Sequence, residues 1–239
     1  MASGIYSALS GAMADVRRME VVSHNLANTG TSAFNQLRTA FEAIQGEAKT
    51  KEITFAAPTQ TIRDVRSGPL RATGNPLDLA LSEGVYMTVA SGEKTAYMRG
   101  ATLVLKPDGT LSTEEGFTVL GENNAIRLPL DARSIMVGPD GTVMADGQES
   151  GKIRLVEFND QQALVHGSDR SFVDPGGAGA MPSTAAQPIA TGYLEQSNID
   201  MVRGMTEMIA AHRNYDATIK ALETFSSIEK RAARGMGRV

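Results

Sequence analysis

Residues 21–35 have the sequence VVSHNLANTGTSAFN, and this stretch decides how the chain is organised. The apolar helical pattern before it ends at Leu26, after which residues that favour helix caps and turns follow one another closely. These residues are Asn28, Thr29, Gly30, Thr31 and Ser32. Phe34 comes directly afterwards, and its large apolar ring needs a packing partner. The stretch therefore predicts a helix that ends in a polar turn and then presents an aromatic ring.

The helical pattern before this turn has apolar positions separated alternately by four and three residues. They are Ile5, Leu9, Ala12, Val16, Met19, Ser23 and Leu26. A second pattern of the same kind lies near the other end of the chain, at Met201, Met205, Met208, His212, Tyr215, Ile219, Leu222 and Phe225. A mean spacing of about 3.5 residues is typical of coiled-coil packing. The two helices are expected to pair with each other or with neighbouring copies; packing of both on the central domain is the alternative.

The C-terminal pattern predicts a helix over residues 199–232, which would be ~50 Å long at 1.5 Å per residue. Asn198 directly precedes this helix. Because Asn is among the residues preferred at helix N-caps, Asn198 is expected to cap it.

Between the two helical patterns, apolar and polar residues alternate and turn-forming residues recur, as is typical of strands joined by turns. Strands are expected at residues 77–81, 85–89, 102–105, 117–120, 126–128, 134–137 and 153–158. The repeated Pro-Asp-Gly-Thr at 107–110 and 139–142 predicts two tight turns. The sequence thus predicts an α+β fold, in which long N- and C-terminal helices form a coiled-coil-like pair beside a central antiparallel all-β domain. The expected segments are 1–45 for the N-terminal helix and its turn, 46–74 for an extended connector, 75–190 for the β domain and 191–239 for the C-terminal helix.

Composition excludes several classes of protein. The chain of 239 residues has a net charge of −4, which gives no general attraction to nucleic acid or anionic lipid. It contains no Cys, which excludes a disulfide framework, a thiolate nucleophile and Cys-ligated zinc. The N-terminus lacks the basic and apolar regions of a signal peptide, and no run of 18 apolar residues occurs. We therefore expect neither a cleaved signal peptide nor direct membrane insertion.

Motifs for catalysis or cofactor binding are not found in the sequence. His24, His166 and His212 are isolated, so no pair of them has the spacing of a zinc site. Asp108 and Asp140 belong to the two predicted turns, and no series of further calcium ligands follows either of them. The sequence therefore predicts no catalytic residue, no cofactor site and no metal site.

A series of motifs, in order along almost the whole chain, resembles those of the bacterial flagellar rod and hook family. The first is Asn-Leu-Ala-Asn at 25–28, followed by a polar turn and by Phe34, with Ala33 where the family usually has Gly. The others are NPLDLAL at 75–81, AYMRG at 96–100, PDGTL at 107–111, GYLEQSN at 192–198 and MTEMI with RNY at 205–215.

This resemblance implies a structural, non-enzymatic subunit that polymerises through its terminal helices into the axial shaft that transmits torque. The implied partners are further copies of the chain, other flagellar rod proteins and the flagellar type III export apparatus. The implied location is the periplasmic rod of the basal body. Within the family the chain resembles proximal-rod members most, because residues 46–74 are short and Glu83-Gly-Val-Tyr86 replaces an aromatic pair of the distal-rod members. A distal-rod protein is the alternative, and a monomeric ligand-binding β protein or a hydrolase is a more remote one.

The resemblance and the two helical patterns together predict the residues of the assembly interface. They are Ile5, Leu9, Val16, Met19, Asn25, Leu26, Ala27, Asn28, Phe34, Asn198, Met201, Met205, Met208, His212, Tyr215, Ile219, Leu222 and Phe225. Phe34 is expected to anchor the chain against a neighbouring helix. Its alternative position is against the β domain of its own chain.

Overall fold

The computed structural model describes residues 2–46, 53–92, 94–167 and 169–236, with side chains over 8–40, 61–92, 94–167, 169–228 and 230–231. The chain falls into two compact units. The helical unit consists of Met1–Asn28, Leu37–Asp64 and Ile199–Val239, and the β unit of Thr29–Gln36 and Val65–Asn198.

The helical unit contains two long helices and a β-hairpin. Its elements are α1 (Ala2–Ala27), β1 (Leu37–Gly46), β2 (Ile53–Arg63) and α2 (Met201–Met236). β1 and β2 pair antiparallel from Leu37 opposite Arg63 to Gly46 opposite Ile53. The register shifts between Ala40 and Phe41, opposite Pro58, which has no N–H to donate to the ladder.

α1 packs against both α2 and the hairpin. The buried residues among its described side chains, which begin at residue 8, are Ala12, Ala14, Val21, Val22 and Asn25. Leu26, at the C-terminal end of α1, contacts Gly204, near the N-terminal end of α2, so the two helices run antiparallel. A Cβ added at Gly204 would lie 2.6 Å from Cδ1 of Leu26, and the glycine therefore lets the helices approach closely at this point.

The predicted fold, in which long N- and C-terminal helices form a coiled-coil-like pair beside a central antiparallel all-β domain, is wrong. β1 and β2 belong to the helical unit, where a two-stranded sheet packs on α1. The narrow seam predicted for α1 is also not its buried stripe. Ala12 of the seam is buried, but Leu9 and Val16 are exposed, whereas Ala14, Val21 and Val22 outside the seam are buried. A helix packed on two sides buries a broad face rather than a single seam of period 3.5. The α+β class with a β domain in the middle of the chain describes the structure only in part.

The β unit contains sixteen strands among its described residues. They are β3 (Leu70–Ala72), β4 (Asp78–Leu81), β5 (Val85–Ser91), β6 (Lys94–Met98), β7 (Gly100–Leu105), β8 (Leu111–Thr113), β9 (Thr118–Val119), β10 (Ile135–Val137), β11 (Thr142–Ala145), β12 (Gln148–Lys152), β13 (Leu155–Phe158), β14 (Val165–His166), β15 (Phe172–Val173), β16 (Ala180–Pro182), β17 (Ile189–Thr191) and β18 (Tyr193–Glu195). A short 3-10 helix covers Gln161–Ala163.

All strand pairings among these described strands are antiparallel. The large sheet has the order β14-β15-β6-β5-β9-β8-β7-β4-β17, and β13 pairs with both β5 and β16. β10, β11 and β12 form a three-stranded sheet, and β18 pairs with β3. The main core includes the buried side chains of Leu79, Met87, Met98, Leu103 and Val119.

The two Pro-Asp-Gly-Thr turns predicted from the sequence are confirmed. The carboxylate of Asp108 accepts the N–H of Thr110 at 3.0 Å, and that of Asp140 accepts the N–H of Thr142 at 3.2 Å. Gly109 and Gly141 have φ of 78° and 91°, the region that glycine adopts without steric cost. The expected strand at 126–128 forms only one isolated bridge, between Arg127 and Thr110.

Neither α1 nor α2, over their described residues, has the length and apolar character of a membrane-spanning helix.

Candidate functional site

The assembly residues predicted on α1 do not share one environment. Leu9, Val16 and Ala27 are exposed, Met19, Leu26 and Asn28 are partly buried, and Asn25 is buried. Ile5 lies in α1, but its side chain is outside the described set. Leu9 and Val16, together with the exposed Met13, lie on one side of the helix because their spacing is i, i+4, i+7. We call these three side chains the α1 apolar face.

The assembly residues predicted on α2 divide into two groups. Met208, Tyr215, Ile219 and Leu222 are partly buried, and Met201, Met205, His212 and Phe225 are exposed. His212 lies 3.1 Å from Asp216, measured from Nδ1 to Oδ2.

The pattern analysis missed two strongly exposed residues of α2. Val202 is 75% exposed and Ile209 is 55% exposed, and both lie on the same side of the helix as Met205. We call these three residues the α2 apolar face. A single seam of period 3.5 covers one stripe of the helix and leaves out this side. The apolar residues of α2 taken together indicate both sides.

The Asn-Leu-Ala-Asn motif ends α1 and attaches the start of β1. The buried side chain of Asn25 donates to the carbonyl of Leu37 and accepts its N–H, each at 2.8 Å, as a neighbouring strand would. The side chain of Asn28 donates to the carbonyl of His24 at 2.9 Å. Asn28 thus satisfies a carbonyl in the last turn of α1, as predicted, whereas Asn25 satisfies the main chain of Leu37 at the start of β1.

The turn after α1 belongs to the β unit. Ala33 has a φ of 56°, so this alanine adopts the left-handed conformation that glycine favours. The ring of Phe34 stacks on His166, with centroids 5.8 Å apart and planes at 17°. Phe34 therefore lies against the β unit of its own chain, which was the alternative to a contact with a neighbouring helix.

The expectation that Asn198 caps α2 is wrong, because Asp200 takes that role. The carboxylate of Asp200 accepts the N–H of Arg203 at 3.1 Å, the geometry of an N-cap. The side-chain oxygen of Asn198 instead accepts the N–H of Gln36 at 2.7 Å, and its amide donates to the carbonyl of Arg66 at 2.8 Å. Asn198 thus connects two segments of the β unit.

A buried ion pair lies in the β unit and was not predicted from the sequence. Nη2 of Arg99 lies 3.2 Å from Oε1 of Glu195, and both side chains are almost fully buried. Burial raises the pKa of the Glu195 carboxyl above its ordinary value, although the charge of Arg99 acts in the opposite direction. The two residues are 96 positions apart in the sequence, so no local pattern could have revealed the pair.

Among the described residues, no group of three His, Cys, Asp or Glu side chains is arranged to hold a metal ion. The β unit has an open groove of about 580 Å³ between β13, β16 and the loop that follows β16. The groove is lined by charged and apolar groups, among them Glu122, Lys152, Arg154 and Met181.

Comparisons with known proteins identify the family. Residues 83–145 match the family model described as the D1 domain of the flagellar hook protein FlgE/F/G, and residues 190–234 match the C-terminal region of the flagellar basal body rod FlgEFG proteins. The chain is 30% identical to the flagellar basal-body rod protein FlgG of Bacillus subtilis (strain 168), over 95% of this chain and 97% of that protein.

Two relatives named FlgF match over a similar extent. Identity is 28% to the flagellar basal-body rod protein FlgF of Mesorhizobium japonicum, over 99% of each chain. Identity is 27% to FlgF of Caulobacter vibrioides, over 100% of each chain. These matches extend over the whole chain, including both terminal helices and the β unit, and they confirm the resemblance seen in the sequence motifs. The chain belongs to the family of flagellar basal-body rod proteins.

Proposed function

We propose that this protein is a structural subunit of the flagellar basal-body rod and that it polymerises through its terminal helices. Its relatives are named as rod proteins and none of those described above is named as an enzyme. The proposal accordingly assigns the chain a structural and not a catalytic role.

The observation that carries this proposal is the α2 apolar face. Val202, Met205 and Ile209 are exposed within the first three turns of a helix of 36 residues. A helix in a monomeric protein turns its apolar side towards its own core, and a second apolar side that faces solvent marks a contact with another protein.

The α1 and α2 apolar faces lie at different positions along the axes of the antiparallel helix pair. Leu26 of α1 lies beside Gly204 of α2. Met13, the middle of the α1 face, is thirteen residues from Leu26, whereas Met205, the middle of the α2 face, adjoins Gly204. At 1.5 Å per residue the two faces are therefore offset by ~18 Å along the helices. We propose that the α1 face of one copy contacts the α2 face of the next, because two different, offset surfaces produce an open polymer rather than a closed dimer.

A pair of substitutions of the same charge tests the assembly role. Ile209→Asp places a carboxylate on the α2 apolar face, and Asn214→Asp places one at an exposed position on the opposite side of the same helix. We expect Ile209→Asp to abolish polymerisation, measured by light scattering at rising protein concentration and by electron microscopy, and Asn214→Asp to polymerise like the unmodified chain. Equal polymerisation of both variants would contradict the proposal.

We further propose a position in the flagellum for this chain. It lies in the proximal rod of the basal body, in contact with further copies and with other rod proteins, after export by the flagellar type III apparatus. Relatives named FlgF and FlgG both match along the chain, so the distal rod is the competing position. Electron microscopy of basal bodies from a deletion strain distinguishes the two: loss of the whole rod is expected for a proximal subunit, and a short remaining rod for a distal one.

A further inference from the structure

The chain crosses between its two units at four points, and three segments of the β unit contain the ends of these crossings. The crossings follow residues 28, 36, 64 and 198. The three segments are residues 29–36, the first residues after 64, and the last residues before 199. All three are tied to the Arg99–Glu195 ion pair or to residues beside it.

Arg99 holds the segment that begins at Val65. Its Nη1 donates to the carbonyl of Val65 at 2.7 Å, and its Nη2 donates to the hydroxyl of Ser67. Arg99 lies between β6 and β7, where a Cβ added at Gly100 would be 2.5 Å from the carbonyl oxygen of Leu79. This close approach of β7 to β4 fixes the main chain next to Arg99, so the direction of the guanidinium is set by the sheet.

Glu195 belongs to the segment before residue 199 and binds both of the other segments. Its Oε1 accepts the N–H of Gly68 at 2.9 Å, and its main-chain carbonyl accepts the N–H of Ala33 at 2.9 Å. A Cβ added at Gly68 would lie 2.0 Å from the carbonyl oxygen of Gln196, so only glycine permits the two segments to lie this close. The N–H of Gln196 also donates to the carbonyl of Pro69 at 2.9 Å.

The ion pair is poorly arranged for stability alone. Nε of Arg99 and Oε2 of Glu195 are buried without a hydrogen-bond partner among the residues that the structure describes. Burying two charges costs free energy, which their attraction offsets only if the remaining polar atoms are also satisfied. Apolar side chains in this position would remove these two unpaired atoms, but they would leave the carbonyl of Val65 and the N–H of Gly68 without these partners. What the charged pair supplies is therefore its contacts with neighbouring segments rather than stabilisation of the sheet.

We propose that Arg99 and Glu195 are positioning residues that lock these three segments together and so fix the points at which the chain crosses between the β unit and the helical unit. This role does not depend on the proposed rod function. The charge pair binds main-chain groups of segments that have little regular structure, and it has the fixed guanidinium geometry needed to bind several of them at once.

The test measures amide hydrogen exchange in the full chain at low concentration, where assembly does not contribute. In the double variant Arg99→Met/Glu195→Gln, exchange at Ala33, Gly68 and Gln196 is expected to become faster by about tenfold, the factor for the loss of about one hydrogen bond. Exchange in β5 and β6 is expected to stay unchanged. Arg154→Met is the matched control, because this exposed Arg of the same unit also donates to a main-chain carbonyl, that of Glu122.

A conservative variant separates positioning from general stability. In Arg99→Lys the positive charge remains opposite Glu195, but an ammonium cannot reproduce the forked contacts with Val65 and Ser67. Faster exchange confined to residues 65–69 and their partner segments is expected in this variant. The proposal is overturned if exchange at Ala33, Gly68 and Gln196 is unaffected in the double variant. It is equally overturned if exchange rises throughout β5 and β6, since the pair would then be an ordinary stabilising element of the core.

Discussion

The side-chain oxygen of Asn198 accepts the main-chain N–H of Gln36 at 2.7 Å, although 162 positions separate the two residues. The same side chain donates its amide N–H to the carbonyl of Arg66. Asn198 therefore uses both halves of its amide group, one as acceptor and one as donor, in a way that neither Asp nor Ala can reproduce.

Asn198→Asp is expected to be at least as harmful as Asn198→Ala. Asp keeps an acceptor for Gln36, but its carboxylate has no N–H for the carbonyl of Arg66 and places a negative charge beside that oxygen. The expected loss in free energy of unfolding is ~1–2 kcal/mol for either variant, measured by chemical denaturation. Full tolerance of Asp together with damage from Ala would show that Asn198 acts as a helix cap instead.

Asp200→Ala is expected to weaken the start of α2. It removes the acceptor for the N–H of Arg203, and loss of an N-cap costs ~1 kcal/mol. Thermal loss of circular dichroism at 222 nm should begin at a lower temperature in this variant. Asp200→Asn is the control, because Asn caps equally well and should preserve the helix. A greater loss of helix in Asn198→Ala than in Asp200→Ala would contradict the assignment of Asp200 as the N-cap of α2.

Patterns of local sequence predicted some elements of the fold and missed others for physical reasons. The terminal helices and the turns at Asp108 and Asp140 depend on short-range periodicity or on bonds within a few residues, so they were recognisable. β2 was missed because residues 46–74 have no firm alternation, and β1 was missed because its residues, 37–46, fall almost entirely in the segment assigned to the N-terminal helix and its turn. Both strands pack on α1. The cap was placed wrongly because Asn198 and Asp200 are both suitable caps, and only distant partners decide between them.

The candidate site was predictable to a similar extent. The motifs around Asn25, Phe34, Arg99 and Asn198 were recognised by resemblance, but a motif does not state which groups it binds. The exposed Val202 and Ile209 were missed because a single seam was assumed for α2. The ion pair between Arg99 and Glu195 joins distant strands, and no spacing in the sequence encodes it.

Ala33→Gly is expected to stabilise the protein. The left-handed φ of 56° costs an L-residue ~1–2 kcal/mol, whereas glycine adopts it freely. The greater entropy of glycine in the unfolded chain offsets ~0.4–1 kcal/mol of this gain, so a net increase of about 0.5–1 kcal/mol should appear in chemical denaturation. Ala80→Gly in β4 is the control: this buried alanine does not have a positive φ, and its replacement should destabilise the chain. Destabilisation in both variants would argue against strain at Ala33.

Glu195 is expected to add an identifiable pH dependence to stability. Burial raises the pKa of its carboxyl in the folded protein above the ordinary value of 4.5; Glu83 acts in the same direction and Arg99 in the opposite one. Because the folded pKa is higher than the unfolded pKa, the stabilising contribution is complete below pH 4.5 and is lost as pH rises through the raised value.

The comparison that isolates this effect is between the unmodified chain and Glu195→Gln at each pH. Hydrogen bonds from Thr110, Thr142 and the residues after Asp174 lower the pKa values of Asp108, Asp140 and Asp174, so these carboxylates stabilise the fold less in acid. Their effects are the same in both proteins and cancel in the difference. The difference in unfolding free energy should favour the unmodified chain most at the acid end. If the difference in unfolding free energy between the two proteins does not vary with pH, Glu195 is not the source of this pH dependence.

Leu26→Asp is expected to disrupt the packing of α1 on α2 and to block assembly while leaving the β unit folded. The side chain of Leu26 lies against Gly204, so a carboxylate there would lie at a close approach of the two helices, at a cost of several kcal/mol if unpaired. Ala27→Asp is the matched control, because this neighbouring residue is exposed and carries the same charge in the same last turn of the helix. The unfavourable interaction of a carboxylate with the helix C-terminus is therefore present in both variants and cancels in the comparison. Amide exchange should rise along α1 and α2 only in Leu26→Asp, with β5 and β6 protected in both variants. Polymerisation should be lost in Leu26→Asp and kept in Asn214→Asp, the control for assembly used above. If Leu26→Asp forms polymers as readily as Asn214→Asp, the α1–α2 contact is not required for assembly.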